Sequence, residues 1–166
     1  MEEEIINSYL TFTVDGGLYG VHVSRVVEIQ AYEKPEANPG GLPYLLGLIR
    51  HRGRVLPFID SGVKFGLKPL NLNEQTYVVI ISVKNGDELF DVALAVDEVC
   101  GVMDIPEEGR LKIDSAYKPG YVLFAAPEDG GLAMFLDPDK VFNDTDVVSM
   151  ANITAEANKR QATKQN

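Results

Sequence analysis

The sequence predicts an all-β protein composed of two similar small barrels packed side by side. Three observations support this class: short apolar runs recur along the chain, turn residues separate them, and two segments repeat in the same order. Many short strands joined by Gly, Pro and Asn turns are typical of barrels or sandwiches rather than of alternating strands and helices. Because a single barrel of this size would be only marginally stable, we expect the two barrels to share an apolar interface.

Ten apolar runs are the predicted strands. In the first, apolar Leu10, Phe12 and Val14 alternate with more polar neighbours, and a Gly-containing turn at residues 15–17 ends the run. In chain order the runs span residues 9–14, 18–23, 26–31, 45–49, 55–59, 76–83, 89–96, 98–103, 120–125 and 132–136.

Two single helical turns and two polar ends complete the predicted elements. Residues 60–65 and 137–142 each begin with an Asp that can act as an N-cap, and Pro138 takes the first helical position of the second. The tail at 149–166 is polar and shows no apolar stripe, so we expect a frayed helix or disorder there. Residues 1–7 form an acidic lead.

Two pairs of segments indicate an internal duplication. Residues 19–29 match residues 92–102 in apolar pattern without a gap, at an offset of 73 residues. Residues 58–65 match residues 135–142 at an offset of 77 residues. Two matches in the same order favour duplication over the chance periodicity that any β protein can show.

The duplication predicts how the domain is divided. We expect one domain at 8–148, with lobes at about 15–75 and 76–148 and a first strand that the second lobe can share. The groove between two such lobes would be concave and apolar, which makes it the natural place for a partner.

Composition and charge exclude several classes of function. The formal net charge is -10 and the sequence pI is about 4.6, which argues against nucleic acid as a ligand. No apolar run approaches the ~20 residues of a membrane helix, so we expect no direct membrane insertion. The first residues are acidic where a secretory signal would be basic. With Cys100 as the single cysteine, we expect a reducing, cytoplasmic location.

Motifs for catalysis and metal binding are missing from the sequence. It contains no Walker loop, no Gly-x-Ser-x-Gly elbow and no Gly-x-Gly-x-x-Gly. His22 and His51 are the only histidines, which is too few ligands for a zinc site. The acidic run at 137–146 fails as an EF-hand loop because Phe142 stands where Gly is required. We therefore expect no enzyme activity, no metal and no cofactor.

The most distinctive segment is 47–60, which predicts two short apolar strands joined by a basic turn. Its turn gathers Arg50, His51, Arg52 and Arg54 at one hairpin tip of a strongly acidic protein. The acidic surface of the rest of the protein favours partners with basic patches, although it does not identify them.

Four stretches of the chain carry a family resemblance. They are Tyr9-Leu10-Thr11-Phe12 through Tyr19-Gly20-Val21, Val26-Val27-Glu28-Ile29, Pro43-Tyr44-Leu45-Leu46-Gly47-Leu48 with Arg52-Gly53 through Asp60, and Val96-Asp97-Glu98-Val99. In this order, over about residues 8–142, they resemble the CheW-like domain of bacterial chemotaxis adaptors. The chain departs from the family at Arg50-His51, where Asn-Leu is usual, and at Gly62, where a bulkier residue is usual.

The resemblance implies both a fold and a function. The fold would be two five-stranded SH3-like barrels. The function would be a non-catalytic scaffold that holds the regulatory domain of the histidine kinase CheA on one face and the cytoplasmic tip of a methyl-accepting chemoreceptor on another. The departures from the family pattern would then mean a divergent receptor or a pathway other than swimming motility.

Eight residues are the candidate site residues. Glu28 and Arg52 would form the polar part of the receptor contact or a local ion pair, and a surface ion pair alone is worth only ~0-1 kcal/mol. Most of the valines and isoleucines of the two matching strands are expected in the core, with one or two gripping an apolar helix face. The candidates for partner binding are Val26, Glu28, Ile29, Arg52 and Val99, and those for structural turns are Pro43, Gly47 and Gly53, where Gly53 is expected to adopt positive φ.

Two other functions stay open at this point. A β-barrel protein that binds a small molecule in the groove between the lobes would show a saturable rise in melting temperature with that ligand alone. A hydrolase is the more distant alternative, because the sequence offers no pair of nucleophile and base to support it.

Overall fold

The structure is a computed structural model that describes residues 7–36, 41–113, 116, 119–128 and 130–164. Each of the ten predicted runs corresponds to one strand, and the ends differ by at most three residues. The strands are β1 Ser8–Val14, β2 Gly17–His22, β3 Val26–Ala31, β4 Leu45–His51, β5 Arg54–Asp60, β6 Tyr77–Asn85, β7 Glu88–Val96, β8 Glu98–Asp104, β9 Val122–Glu128 and β10 Gly131–Leu136. The helices are α1 Ser61–Lys64, α2 Pro138–Val141 and α3 Asp144–Lys164.

The strands form two five-stranded sheets, which confirms the predicted all-β architecture of two similar lobes. Sheet A has the strand order β8-β1-β2-β10-β9, and sheet B has the order β3-β6-β7-β5-β4. Replacing each strand by its counterpart five places along the chain converts one order into the other. Each sheet therefore combines the first hairpin of one repeat with the last three strands of the other repeat.

The two sheets divide the chain differently from the predicted lobes. Residues 26–96 supply all of sheet B, whereas sheet A takes β1 and β2 together with the last three strands. Strands β1 and β2 both belong to sheet A because a tight two-residue turn joins them. Its residues Asp15 (φ 47°) and Gly16 (φ 81°) both have positive φ, as such turns require. Parallel pairing of β2 with β10 and of β5 with β7 then completes each sheet.

The repeat extends to individual hydrogen bonds. The N-cap residues of α1 and α2 make the same backbone hydrogen bond. The Asp60 N–H donates to the Tyr44 carbonyl and the Asp137 N–H donates to the Tyr121 carbonyl, both at 2.8 Å. Both aspartates also cap their helices through the side chain, as predicted from their positions. This agreement is the physical counterpart of the duplication seen in the sequence.

The buried apolar residues form one shared core and one smaller core inside each barrel. Strand β6 shows how this arises, because Val78 and Ile80 face the interior of barrel B while Val79 and Ile81 face the shared core. A strand buried on both faces must be apolar almost continuously, which explains the uninterrupted run in its sequence. The third core, inside barrel A, contains Phe124 and Phe135.

The C-terminal tail differs most from its prediction. The structure has a 21-residue helix, α3, where we expected frayed helix or disorder without an apolar stripe. Within the predicted tail, Met150 is buried and Ile153 is partly buried against the shared core, so this helix has an apolar side that the sequence pattern did not indicate. The Asn143 side chain caps it by accepting from the Asp146 N–H at 2.8 Å. Packing against the shared core supplies the stabilisation that the polar sequence lacks.

A partly buried ion pair connects the two repeats at the start of β3. Arg25 donates to both carboxylate oxygens of Asp139 in α2 and, through Nε, to the Ser82 carbonyl at 3.1 Å. The Lys84 N–H also donates to Asp139, at 2.9 Å. The hydrogen bonds from Arg25 hold the pKa of Asp139 below its usual range. This pair fixes the position of the residue immediately before β3, the strand that carries Glu28.

Candidate functional site

The β4-β5 hairpin ends in a two-residue turn that presents Arg52. Arg52 (φ 50°) and Gly53 (φ 79°) both have positive φ, which is the pattern of a type I′ turn and confirms the prediction for Gly53. A Cβ added at Gly53 would have no atom within 4 Å, so only the backbone conformation demands glycine there. An arginine in this region of φ costs roughly 1–2 kcal/mol. Strain tolerated at an exposed residue points to a use for its side chain.

Glu28 is the centre of the polar cluster at this tip. Its Oε2 lies 3.3 Å from Arg52 Nε and 3.3 Å from His51 Nδ1. His51 Nδ1 also lies 3.2 Å from Gln30 Oε1, and its side chain is only 10% exposed. Because both neighbours of Nδ1 are acceptor oxygens, this nitrogen carries the hydrogen. The structure therefore brings the two predicted residues Glu28 and Arg52 together and adds His51 and Gln30 to them.

A second set of polar contacts fastens the hairpin to the segment after β3. The Arg50 N–H donates to Glu33 Oε1 at 2.8 Å, and Arg50 Nε lies 2.9 Å from Glu36 Oε1. Gln30 Nε2 donates to the Arg50 carbonyl at 3.3 Å. The sequence reasoning did not name Gln30, Glu33 or Glu36. Glu33 and Glu36 had a signal in the sequence, because they are acidic residues shortly after β3 and opposite in charge to Arg50. Gln30 had no such signal.

The apolar candidates are placed in different parts of the molecule. Ile29 is 39% exposed and Val27 is 45% exposed, so both side chains are accessible on β3, but Ile29 lies on the face opposite to Glu28 because it pairs with Val79. Val26 and Val99 instead pack, partly buried, against the shared core. Val99 lies on β8 of sheet A opposite Phe12, not in the cluster around Glu28. Val27, which was not among the candidates, is the better exposed residue.

Gly47 and Pro43 shape the approach to β4. Gly47 has φ 148°, and a Cβ there would lie 2.3 Å from the Glu36 carbonyl oxygen, so close backbone packing demands glycine. This packing holds Glu36 where it meets Arg50. Pro43 is an exposed turn residue immediately before the buried Tyr44. Both residues therefore act through the backbone.

A cavity of about 350 Å³ opens beside the hairpin tip. Its lining comes from sheet B alone, which distinguishes it from the predicted groove between the lobes. The lining residues are Val27, His51, Arg52, Arg54, Leu56 and Asp91. Its volume is at the low end for sites that bind small molecules.

The site combines exposed charged and apolar side chains from the β4-β5 hairpin and from β3. Among the described residues, no group of three or more His, Cys, Asp or Glu side chains is placed to hold a metal ion. In the same part of the chain, no helix combines the length and apolarity that crossing a membrane would require.

Comparisons with known proteins agree with this architecture. Residues 8–146 match the family model of the CheW-like domain. "Chemotaxis protein CheW" of Bacillus subtilis is 32% identical over 107 residues, which are 64% of this chain and 64% of that protein. The chain thus spans a little under two thirds of that relative. "Chemotaxis protein CheW" of Rhizobium meliloti is 24% identical over 136 residues, 80% of this chain and 85% of that protein.

A solved structure shows the same fold. The scaffolding protein TtCheW from Thermoanaerobacter tengcongensis superposes with a TM-score of 0.72, covering 82% of this chain and 92% of that one at 20% identity. At 20% identity this likeness shows the two-lobed fold and assigns no role to individual residues.

Proposed function

Because the chain belongs to the CheW-like domain family, we propose that it is a non-catalytic scaffold of a bacterial chemosensory complex. In this role it couples the cytoplasmic tip of a methyl-accepting chemoreceptor to the regulatory domain of the histidine kinase CheA. It acts in the cytoplasm and uses no cofactor. The names of its relatives, a chemotaxis protein and a scaffolding protein, support this proposal.

The observation that carries the proposal is a polar cluster whose central residue, Glu28, has no charged counterpart in the other repeat. In barrel B, Glu28 pairs with Arg52 next to exposed Val27. At the corresponding position of the other repeat, 73 residues on, Glu28 is replaced by Gly101. The fold therefore does not require the cluster, which supports a role in binding. We propose that Glu28, Arg52, Val27 and Ile29 contact the receptor.

A small-molecule binder is the second candidate, and the cavity beside the hairpin is the observation that favours it. The cavity combines two arginines and an aspartate with apolar Val27 and Leu56. Such a protein would show a saturable increase in Tm with its ligand and no need for a partner protein.

The test is reconstitution from purified components. A pull-down from the native cells identifies the receptor and kinase, and their purified cytoplasmic fragment and regulatory domain are then titrated with this protein by calorimetry. We expect Arg52→Glu to weaken receptor binding about tenfold and to leave kinase binding within twofold. Arg160→Glu is the matched control, because Arg160 is also exposed, at 75%, but lies on α3. Failure of the unaltered protein to bind either fragment would contradict the proposed function.

A further inference from the structure

The cavity beside the hairpin lies at one open end of barrel B. Ala93 and Ala95 of β7 line the interior of this barrel, and Asp91 occupies the next position on the same face of that strand. Leu56, another residue of the interior, forms part of the lining. The cavity therefore has an apolar floor and a charged rim.

The charges on this rim are only partly used within the protein. Arg52 contacts Glu28 through Nε only, which leaves its two terminal nitrogens available. In the ranges that the structure describes, the side chains of Arg54 and Asp91 take part in no hydrogen bond or ion pair with each other or with a neighbour. Asp91 is half-buried, and Arg54 is exposed. Two guanidinium groups and one carboxylate thus line a single basin without neutralising one another.

We propose that this basin receives an acid–base pair of side chains from one helix of the chemoreceptor. The partner's carboxylate lies between Arg52 and Arg54, and its Lys or Arg lies against Asp91. This inference rests on the proposed function and specifies which side chains of the receptor would be recognised. Residues three or four apart on a helix have Cβ atoms about 5–6 Å apart, so one helix can present both charges to one small cavity.

The surroundings of the basin fit a helix with that charge pattern. Val27 contributes to the lining and is 45% exposed, and Ile29 is exposed further along β3. An apolar residue one turn from the acid–base pair would pack on Val27. The arginines are a local positive feature on a protein with a formal net charge of -10, which directs an acidic side chain to this place.

Asp91 gives the basin selectivity that two arginines alone would lack. A helix with two carboxylates would be attracted by the arginines but repelled by Asp91. A helix with the reversed order of charges would meet like charges on both walls. Specific interfaces use repulsion of this kind together with attraction. His51 supports the arrangement, since its Nδ1 is held by Glu28 and Gln30 while its ring lines the basin.

The experiment measures binding of the purified receptor fragment to charge variants of the basin. We expect Arg54→Glu and Asp91→Lys each to weaken binding about tenfold, and Asp91→Asn to weaken it about threefold. Arg54→Lys should retain most of the affinity, and the Arg160→Glu control should bind normally. Because Asp91 is half-buried, thermal unfolding of each variant is measured alongside, and the exposed Arg54 gives a result even if the Asp91 variants do not fold.

The outcomes separate this inference from the proposed function. If the unaltered protein binds the fragment and Arg54→Glu binds within twofold of it, the inference is overturned and the scaffold function stands. If the unaltered protein does not bind, both are overturned. If free glutamate or inorganic phosphate raises the Tm of the unaltered protein but not of Arg54→Glu, and receptor affinity is unchanged, the basin binds a small anion and the inference is again overturned.

Crosslinking tests the charge pattern of the partner directly. In a Cys100→Ser background the chain has no other cysteine, so Arg54→Cys can carry a photoreactive group at one position. Mass spectrometry of the crosslinked receptor peptide should find an acidic and a basic residue within one helical turn. A crosslinked segment without such a pair would refute the inference.

Discussion

The two barrels share a backbone plan but differ in what their hairpin turns present. Gly53 of barrel B has φ 79°, and its counterpart Gly130 of barrel A has φ 80°, so the conformation of this glycine is repeated. The charges around it are not, because Gly101 stands at the position that corresponds to Glu28. The cluster around Glu28 is therefore a feature of barrel B and not of the backbone plan that the two barrels share.

The outer faces of the two barrels differ in the same way. Val55 of β5 is 1% exposed, whereas its counterpart Leu132 of β10 is 49% exposed. The difference is due to α3, whose Asn158 side chain accepts from the Val55 N–H at 2.9 Å and donates to the Val55 carbonyl at 3.5 Å. Helix α3 therefore covers β5 of barrel B at Val55, whereas the equivalent residue of β10 in barrel A, Leu132, is exposed.

The largest effect is expected from Gly47, whose counterpart in the other repeat is Phe124. A Cβ at Gly47 would lie 2.3 Å from the Glu36 carbonyl oxygen at a φ of 148°, so Gly47→Ala forces the backbone apart. We expect it to lower the free energy of unfolding by at least about 3 kcal/mol, measured by urea denaturation. That position in β9 accommodates a Phe, which shows that the requirement belongs to one barrel only.

Gly53→Ala and Gly130→Ala are the controls for that variant. Neither Cβ would have an atom within 4 Å, so each should cost only the strain of positive φ, about 1–2 kcal/mol. The two should agree closely because the two glycines have nearly the same φ. A loss at Gly47 no larger than at Gly53 would show that the contact with Glu36 relaxes freely.

The next effect concerns the Arg25–Asp139 pair, which also occurs on one side only. The counterpart of Asp139 is Gly62, where a Cβ would lie 2.0 Å from the Lys68 carbonyl oxygen. We expect Asp139→Asn to lower the free energy of unfolding at pH 7 by about 1–2 kcal/mol, because hydrogen bonds to a charged group are lost. Exposed Glu108→Gln is the control and should change little.

The pH dependence of this loss follows from the lowered pKa of Asp139. Its ordinary value is 3.8, and the hydrogen bonds from Arg25 depress the pKa in the folded state. The stabilisation is therefore fully present above that ordinary value and disappears as the pH falls through the lower folded-state pKa. Urea denaturation of both proteins from pH 7 to pH 3 should show the two stabilities converging at the acidic end. A constant difference across this range would show that the carboxylate charge is not responsible.

A smaller effect is expected where α3 covers barrel B. Asn158→Ala removes both hydrogen bonds to Val55 and should cost about 1 kcal/mol. Exposed Asn152→Ala, the same chemical change one and a half turns earlier, should be neutral or slightly stabilising. Hydrogen exchange at the Val55 amide should become faster in the first variant and remain unchanged in the second. Unchanged exchange in Asn158→Ala would mean that α3 does not protect this strand.

The sequence predicted the strands well because each alternates or is bounded by turn residues, and it predicted the capped turns because Asp60 and Asp137 are local signals. It failed for α3, whose three buried residues are diluted by polar neighbours and gain their stability from distant packing. The Asn143 cap and the acidic first turn were the signals available there. Strand exchange between the lobes also had no local signal, because it is decided by pairing between distant strands.

The candidate site was predicted in part for the same reason. Glu28, Arg52 and the turn at Gly53 could be located because short-range patterns mark them. Gln30 and Asp91 could not, since their relation to the hairpin depends on how β3 and β7 pack beside it. Residues that act through tertiary neighbours leave little trace in the sequence around them.

The smallest effect on stability, and the sharpest test of the comparison, is expected at Arg52. Its side chain is 78% exposed and its ion pair with Glu28 is long, at 3.3 Å, so the coupling energy from a double-mutant cycle of Glu28→Gln and Arg52→Gln should be below about 1 kcal/mol. Arg52→Gly relieves the positive φ of this residue and should leave the protein as stable as before or up to about 1 kcal/mol more stable. Receptor binding should nevertheless fall, because the guanidinium is lost. That combination would support the proposed binding role of Arg52, whereas a loss of more than about 1 kcal/mol in Arg52→Gly would instead make the ion pair a part of the fold.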